Sequence, residues 1–137
     1  MSLIMLDIDF FKQYNDTYGH IIGDHVWRLI VQAIQVHAKR TDTVGRWGGE
    51  EFGIILPNTT LEQAQTVANR IRQTLLTRPL MDESGKAFPK PTVSQGIATF
   101  PDHANDAGRL VDVADASLYE AKHAGRDQVR VAGTPAR

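Results

Sequence analysis

The stretch Arg46–Pro57, RWGGEEFGIILP, decides the fold. Its two glycines separate one short run, Asp42–Trp47, from another, Phe52–Leu56, and that is the pattern of a β-hairpin. Helical spacing lies on both sides of it. Upstream, Val26, Ile30, Ala33 and Ile34 mark a helix from about Gly23 to Ala38. Downstream, Thr60-Leu-Glu-Gln63 fits a capping box, and Leu61, Ala64, Ala68, Ile71 and Leu75 follow at helical spacing. Strands joined directly by a hairpin between helices do not build a purely parallel, doubly wound sheet. The expectation is an α+β fold, a mostly antiparallel central sheet flanked by helices. The same stretch poses a chemical question: Glu50 and Glu51 sit side by side at the mouth of a turn, where like charges repel.

Leu3–Leu6 is a continuous apolar run, read as a buried strand that ends at Asp7-Ile8-Asp9. FFKQYNDTYGH then gives a short helix closed by Gly19. The segment from Pro79 to Phe100 reads as extended structure around a turn at Ser84-Gly85, with Thr92–Thr99 its clearest strand. Leu110, Ala114, Leu118 and Ala121 mark a last helix stopped by Gly125, and QVRVA is a final short strand. No repeat or linker interrupts this order, so one domain spans residues 1–137.

A chain of 137 residues, 42% hydrophobic and 23% charged, suits one core. A net charge of −1 argues against a general binder of nucleic-acid polymers. The absence of cysteine excludes disulfides and thiolate metal sites. No apolar run approaches the ~18 residues of a membrane span, and LIML is too short for the core of a signal peptide. The domain is therefore expected to be cytoplasmic, with no membrane contact of its own. The opening MSL has the character of an expression leader, and the early strand points to a piece of a longer protein.

If the first strand neighbours the hairpin, Asp7, Glu50 and Glu51 converge at one end of the sheet. Two readings stand. One is a solvated hairpin with exposed acids. The other is a hard divalent cation that relieves the repulsion, since Mg²⁺ commonly takes one or two carboxylates, waters and substrate phosphates. Gly48 and Gly49 would let a ligand approach the backbone closely. Asp9 reads as structural, a cap for the next helix. On residues alone, Asn15 suits a helix end and Asp24 a helix N-cap, while Lys122 and Arg126 suit the negative end of a helix dipole. The rings of Phe10 and Phe11 read as core. His20 and His25 are five apart, not the i, i+4 pair of a helical zinc site, and His37, His103 and His123 have no evident partner, so zinc is not expected.

Three blocks, MLDIDFFKQYNDTYGHIIGD, RWGGEEF and ADASLYEAKHAGRD, in this order and spacing resemble the signature blocks of the GGDEF-domain diguanylate cyclases. The resemblance runs from about Ile4 to Val131. It implies a fold like the adenylyl cyclase catalytic domain and the polymerase palm, with a ferredoxin-like layout. It also implies an activity: Mg²⁺- or Mn²⁺-dependent condensation of two GTP into cyclic di-GMP, with release of two pyrophosphates, between two GGDEF domains of a homodimer. By resemblance, Asp7 and the Ile8 carbonyl are metal ligands, and Glu50 is a metal ligand essential to catalysis. Glu51 is linked to metal binding and to activation of the attacking hydroxyl. Asn15 and Asp24 match a guanine-reading pair, which suits the N1–H and N2–H donors of that base. Lys122 and Arg126 match phosphate-gripping cations, and the backbone around Phe10 and Phe11, with Lys12, a further phosphate cradle.

The chain also departs from the family. The inhibitory product site, Arg-x-x-Asp, here reads Lys39-Arg40-Thr41-Asp42. Lysine lacks the planar fork of arginine, and Arg40 is expected on a different helix face, so the site is read as degenerate. Asp127 stands where the family usually has Asn. An upstream family block and its helix are missing, which suggests a fragment of a longer sensor protein, one that a membrane anchor elsewhere in the parent could hold. Two rivals remain: a non-catalytic GTP-binding or dimerisation module that regulates a neighbour, and a palm-like polymerase fragment. The balance of 15 basic and 16 acidic residues argues against the second.

Overall fold

The computed structural model describes residues 1–133. In chain order the elements are β1 (Ser2–Ile8), α1 (Phe11–Tyr18), α2 (His20–His37), β2 (Thr43–Arg46), β3 (Glu51–Leu56), α3 (Leu61–Thr77), β4 (Leu80–Met81), β5 (Ala87–Phe88), β6 (Val93–Thr99), α4 (Ala107–His123) and β7 (Val129–Val131). The main sheet runs β2-β3-β1-β6-β7. Its pairs are antiparallel except β6–β7. This is the α+β architecture expected from the hairpin. β4 and β5 form a separate hairpin around Gly85, whose φ of +84° needs glycine.

β1 is the central strand and is buried along its whole length. Its alternation sends Ile4, Leu6 and Ile8 into one core, with α1, α2 and α3, and Leu3 and Met5 into the other, against α4. α4 sits directly on β6: a Cβ at Gly96 would stand 2.2 Å from the Leu118 amide nitrogen. Helix α3 starts from the full capping box. Thr60 Oγ1 accepts the Gln63 N–H at 3.2 Å, and Gln63 Oε1 accepts the Thr60 N–H at 2.9 Å.

Several boundaries differ from the sequence expectation. β1 starts at Ser2, one residue before the expected apolar run, and the Ser2 hydroxyl is bonded to the Thr59 carbonyl. α2 begins at His20 rather than Gly23, because Gly19, at φ 89°, turns the chain straight into it. Asp24 is therefore inside the helix and caps nothing. α2 also ends sooner, at His37, since Ala38 is already extended. Lys39–Asp42 is a turn in which Asp42 Oδ2 accepts the Lys39 N–H at 2.7 Å, so Arg40 lies on no helix face.

Candidate active site

Register brings the acids together. Asp7 of β1 lies opposite Glu51 of β3, and the Ile8 N–H donates to the Glu50 carbonyl at 3.1 Å. Strand alternation then separates the two glutamates. Asp7 has the parity of Leu3 and Met5, so it faces α4, and its cross-strand neighbour Glu51 shares that face. Glu50, one residue earlier, opens instead toward α1 and α2. It lines both clefts described below, whereas Glu51 lines neither.

Asp7 is 2% exposed. Its Oδ2 accepts a hydrogen bond from Lys122 Nζ on α4, and its buried Oδ1 has no partner. Burial pushes its pKa up from 3.8 to about 6; the Lys122 ammonium opposes the rise, and Glu50 and Glu51 add to it. The Glu51 carboxyl is also raised, first by burial and then by Asp115, with Lys122 opposing. Asp115 in turn is raised by burial and by Asp112. This strand end is thus short of positive charge, with Lys122 its resident cation.

Among the described residues no three His, Cys, Asp or Glu side chains are gathered as a metal cluster. Mg²⁺ does not require one, because water and phosphate oxygens complete its shell. An unpartnered, buried, hard oxygen on Asp7 fits such an ion.

Asp9 is wholly different. Its carboxylate accepts from Thr92 Oγ1 (2.6 Å), Ser94 Oγ (2.7 Å) and the Asp127 N–H (3.0 Å). It ties β1 to β6 and to the turn after α4. The expected structural role stands, but not as a helix cap: α1 has no side-chain cap.

A cleft of about 300 Å³ opens beyond β1, lined by Asp7, Ile8, Phe10, Phe11, Lys12 and Glu50, with Lys122 and Arg126 across it. Phe10 adopts a left-handed conformation (φ 54°, ψ 37°) as the residue before α1. The first bond of the helix is from Tyr14 N–H to the Phe10 carbonyl. The N–H groups of Phe11, Lys12 and Gln13 therefore have no acceptor within the helix. Phe11 is core as expected, but Phe10 is not. Its ring is 56% exposed, with the Arg126 guanidinium 4.1 Å above it. The left-handed backbone turns the ring out of the core. Arg126 (φ 62°) and Asp127 (φ 49°) are left-handed too, so both walls of this end carry strained turns.

A second cleft of about 460 Å³ adjoins the first and shares Phe11, Lys12 and Glu50 with it. Asn15, Gly23 and Asp24 form its helical wall, and Arg46 and Gly49 close the other side. Arg46 braces the hairpin turn: its Nε and Nη2 donate to the carbonyls of Gly48 (3.1 Å) and Gly49 (3.3 Å), while its guanidinium stacks on Trp27 at 4.2 Å. Neither Gly48 nor Gly49 has a positive φ, and a Cβ on either would meet nothing closer than 3.8 Å. The chain itself does not require these glycines.

The family model "Diguanylate cyclase, GGDEF domain" matches residues 1–128. The chain belongs to the GGDEF family. It is 40% identical over 129 residues to diguanylate cyclase A of Treponema denticola, covering 94% of this chain and 34% of that protein. The chain thus spans about a third of that relative's length. Among solved structures, the GGDEF domain of DgcB from Caulobacter crescentus, in complex with c-di-GMP, superposes with a TM-score of 0.86 at 36% identity, covering 96% of this chain and 77% of that one. The active GGEEF domain of a diguanylate cyclase from Vibrio cholerae gives 0.85 at 32%, covering 97% and 83%.

Within this GGDEF domain, Lys39 and Asp42 line neither cleft. Arg46, Gly23 and Asp115 carry parts of the site that sequence reading did not single out. Arg46 and Asp115 lie inside the quoted blocks, but nothing in their spacing gave them partners. Asp127, the departure from Asn, forms an ion pair with Arg72 of α3 at 3.0 Å. His37, His103 and His123 do have partners. His37 Nε2 bonds Thr74 Oγ1, His103 Nδ1 accepts the Thr99 N–H, and His123 stacks on Tyr119. No helix among the described residues is long and apolar enough to cross a membrane.

Proposed function

We propose that the chain is a catalytic diguanylate cyclase domain that condenses two GTP into cyclic di-GMP and two pyrophosphates. The observation that carries this reading is the two-part cleft. One part sets Lys12, Lys122 and Arg126 against Asp7, Asp9 and Glu50 and has free N–H groups at the start of α1, the other is walled by an amide and a carboxylate, and Glu50 stands where they meet. The base of GTP lies at Asn15 and Asp24, where a carboxylate accepts the N1–H and N2–H donors that adenine does not offer together. The phosphates lie against the free amides at the start of α1 and between Lys12, Lys122 and Arg126, since a helix N-terminus favours anions. Gly48 and Gly49, unneeded by the chain itself, leave the hairpin backbone open to the nucleotide.

Asp7, the Ile8 carbonyl and Glu50 would hold Mg²⁺ or Mn²⁺, which, when bound, stabilises charge on the reacting phosphate and makes the ribose 3′-hydroxyl more acidic. Lys122 moves from Asp7 to the phosphates as the nucleotide enters. Glu51, raised by burial and its acidic neighbours, stands behind this site rather than in the cleft. One chain has one such cleft, so a cyclic product with two phosphodiester bonds requires two chains face to face, each with its own GTP. Cellular GTP places this work in the cytoplasm. Product inhibition through the Lys39–Asp42 turn is weak.

Glu50→Gln is the test, because it removes one charge at constant size. Product should vanish, as judged by mass spectrometry after incubation with GTP and Mg²⁺, while the melting temperature holds. A folded Glu50→Gln protein that turned over normally would defeat the proposal. Wild type that bound GTP without turnover at any protein concentration would favour a regulatory GTP-binding module.

A further inference from the structure

Gly23 is the fourth residue of α2, buried in the wall of the larger cleft. A glycine inside a helix lowers stability relative to alanine. Its backbone gives no reason for it: the conformation is helical, and its N–H donates to the Gly19 carbonyl at 3.1 Å. Its surroundings do. A Cβ built on Gly23 would stand 1.9 Å from Asn15 Oδ1, 2.9 Å from Asn15 Cγ and 3.4 Å from Asn15 Nδ2, and these are its three nearest atoms. The space where a side chain would begin is filled by the Asn15 carboxamide. That group has a buried oxygen with no hydrogen-bond partner, so no internal bond holds it there.

We infer that Gly23 is a positioning residue for base recognition: its missing side chain is the seat on which the Asn15 carboxamide is held at the cleft wall. The inference rests on the reading of Asn15 as a guanine contact. The colliding atoms are the far end of a flexible side chain. A methyl group at position 23 would therefore swing Asn15 out of the cleft rather than push the helices apart. The fold should tolerate alanine while the base site does not. A glycine kept only for helix packing would behave in the opposite way.

The experiment is a double-mutant cycle on the 137-residue chain with Asn15→Ala, Gly23→Ala and the pair together. Each protein is titrated calorimetrically with GDP and ADP, which lack the pyrophosphate leaving group, and each is melted. Asn15→Ala should weaken GDP binding roughly tenfold, the size of one lost hydrogen bond. Gly23→Ala should weaken it about as much, melt no lower than wild type and leave ADP binding unchanged. The pair should be no worse than either single variant. Additive losses, or full GDP affinity in Gly23→Ala, would overturn the inference while leaving Asn15 as the base contact. So would a low melting temperature for Gly23→Ala that persists when Asn15 is also alanine. Unchanged GDP binding in Asn15→Ala would remove the underlying reading, and the inference with it.

Discussion

Asp7 and Asp9 stand two residues apart at the end of β1, 2% and 4% exposed, yet their surroundings are opposite. Asp9 accepts three hydrogen bonds from three separate segments. Asp7 has one oxygen on Lys122 and the other on nothing. The first acid-to-be-buried problem is solved within the chain, and the second is left half-solved. A buried acceptor without a donor costs stability, and at Asp7 the chain tolerates that cost at the mouth of the cleft. The difference separates a carboxylate satisfied within the fold from one that keeps an unpartnered oxygen.

The largest expected effect falls on the satisfied acid. Asp9→Ala strands three donors, two of them hydroxyls and one a backbone N–H, and should cost about 3–5 kcal/mol. Its melting temperature should fall by ~10 °C or more. If the variant melted like wild type, Asp9 would not be the hub its bonds describe, and the contrast with Asp7 would collapse.

Asp7 should respond with the opposite sign. In the unfolded chain its carboxyl loses its proton near 3.8, and in the folded chain near 6. Between those values the folded state binds the proton more tightly. The stability from this group is thus fully present below pH ~4 and is lost as pH rises through ~6, a total of about 3 kcal/mol. Asp7→Asn cannot ionise, so it should be more stable than wild type at pH 7.5, with an advantage that shrinks to nothing below pH ~4. Melting curves from pH 3.5 to 8 measure it. Millimolar Mg²⁺ should raise the wild-type melting temperature at pH 7.5 and leave Asp7→Asn unmoved. A pH-independent advantage would mean that burial is not what sets Asp7 apart.

These two residues also show what was legible in the sequence. The hairpin, the central strand and the convergence of Asp7 with the glutamates follow from local periodicity and one register. Asp9 could be read as structural, but its partners Thr92, Ser94 and Asp127 lie far along the chain, where spacing carries no signal. Phe10 was misplaced because a left-handed φ is rare for a bulky residue and nothing local announces it. The face of Arg40 was misjudged because Ala38 stops α2 with neither glycine nor proline to mark the end. Gly23 is legible only in three dimensions, since its reason is the side chain of another helix.

A third acid extends the comparison to the base end of the cleft. Asp24 is exposed on α2, and as a residue inside the helix it has no capping duty. Asp24→Ala should therefore keep or slightly raise the melting temperature, since alanine is the better helix former. It should weaken GDP binding by about 1.5–3 kcal/mol, or ~10- to 150-fold, and narrow the preference over ADP. A fall in stability with unchanged base preference would assign Asp24 to the class of Asp9.

The smallest effect is expected at Asp42, which lies between the two extremes. Its Oδ2 is taken by the Lys39 N–H at 2.7 Å, while its Oδ1 is buried without a partner. By the logic of Asp7 it has an acceptor to offer, and a guanine edge could use it. What it lacks is the neighbour. The Lys39 side chain is exposed, a compact hydrated charge that meets a phosphate through a salt-screened attraction. An arginine there would add a bidentate fork and a plane that stacks on a base. Arg40 does not supply them, because the turn closed by Asp42 fixes the Lys39 backbone, not that of Arg40, against the carboxylate. Lys39→Arg should thus tighten cyclic di-GMP binding by roughly tenfold, about 1.4 kcal/mol, with no change in turnover at low product. Titration of cyclic di-GMP into both proteins decides it, with Asp42→Ala as control and its melting curve recorded, since that variant also loses a bond that closes the turn. Submicromolar binding to wild type that disappears in a folded Asp42→Ala protein would show that lysine suffices, and that a half-satisfied carboxylate outweighs the missing fork.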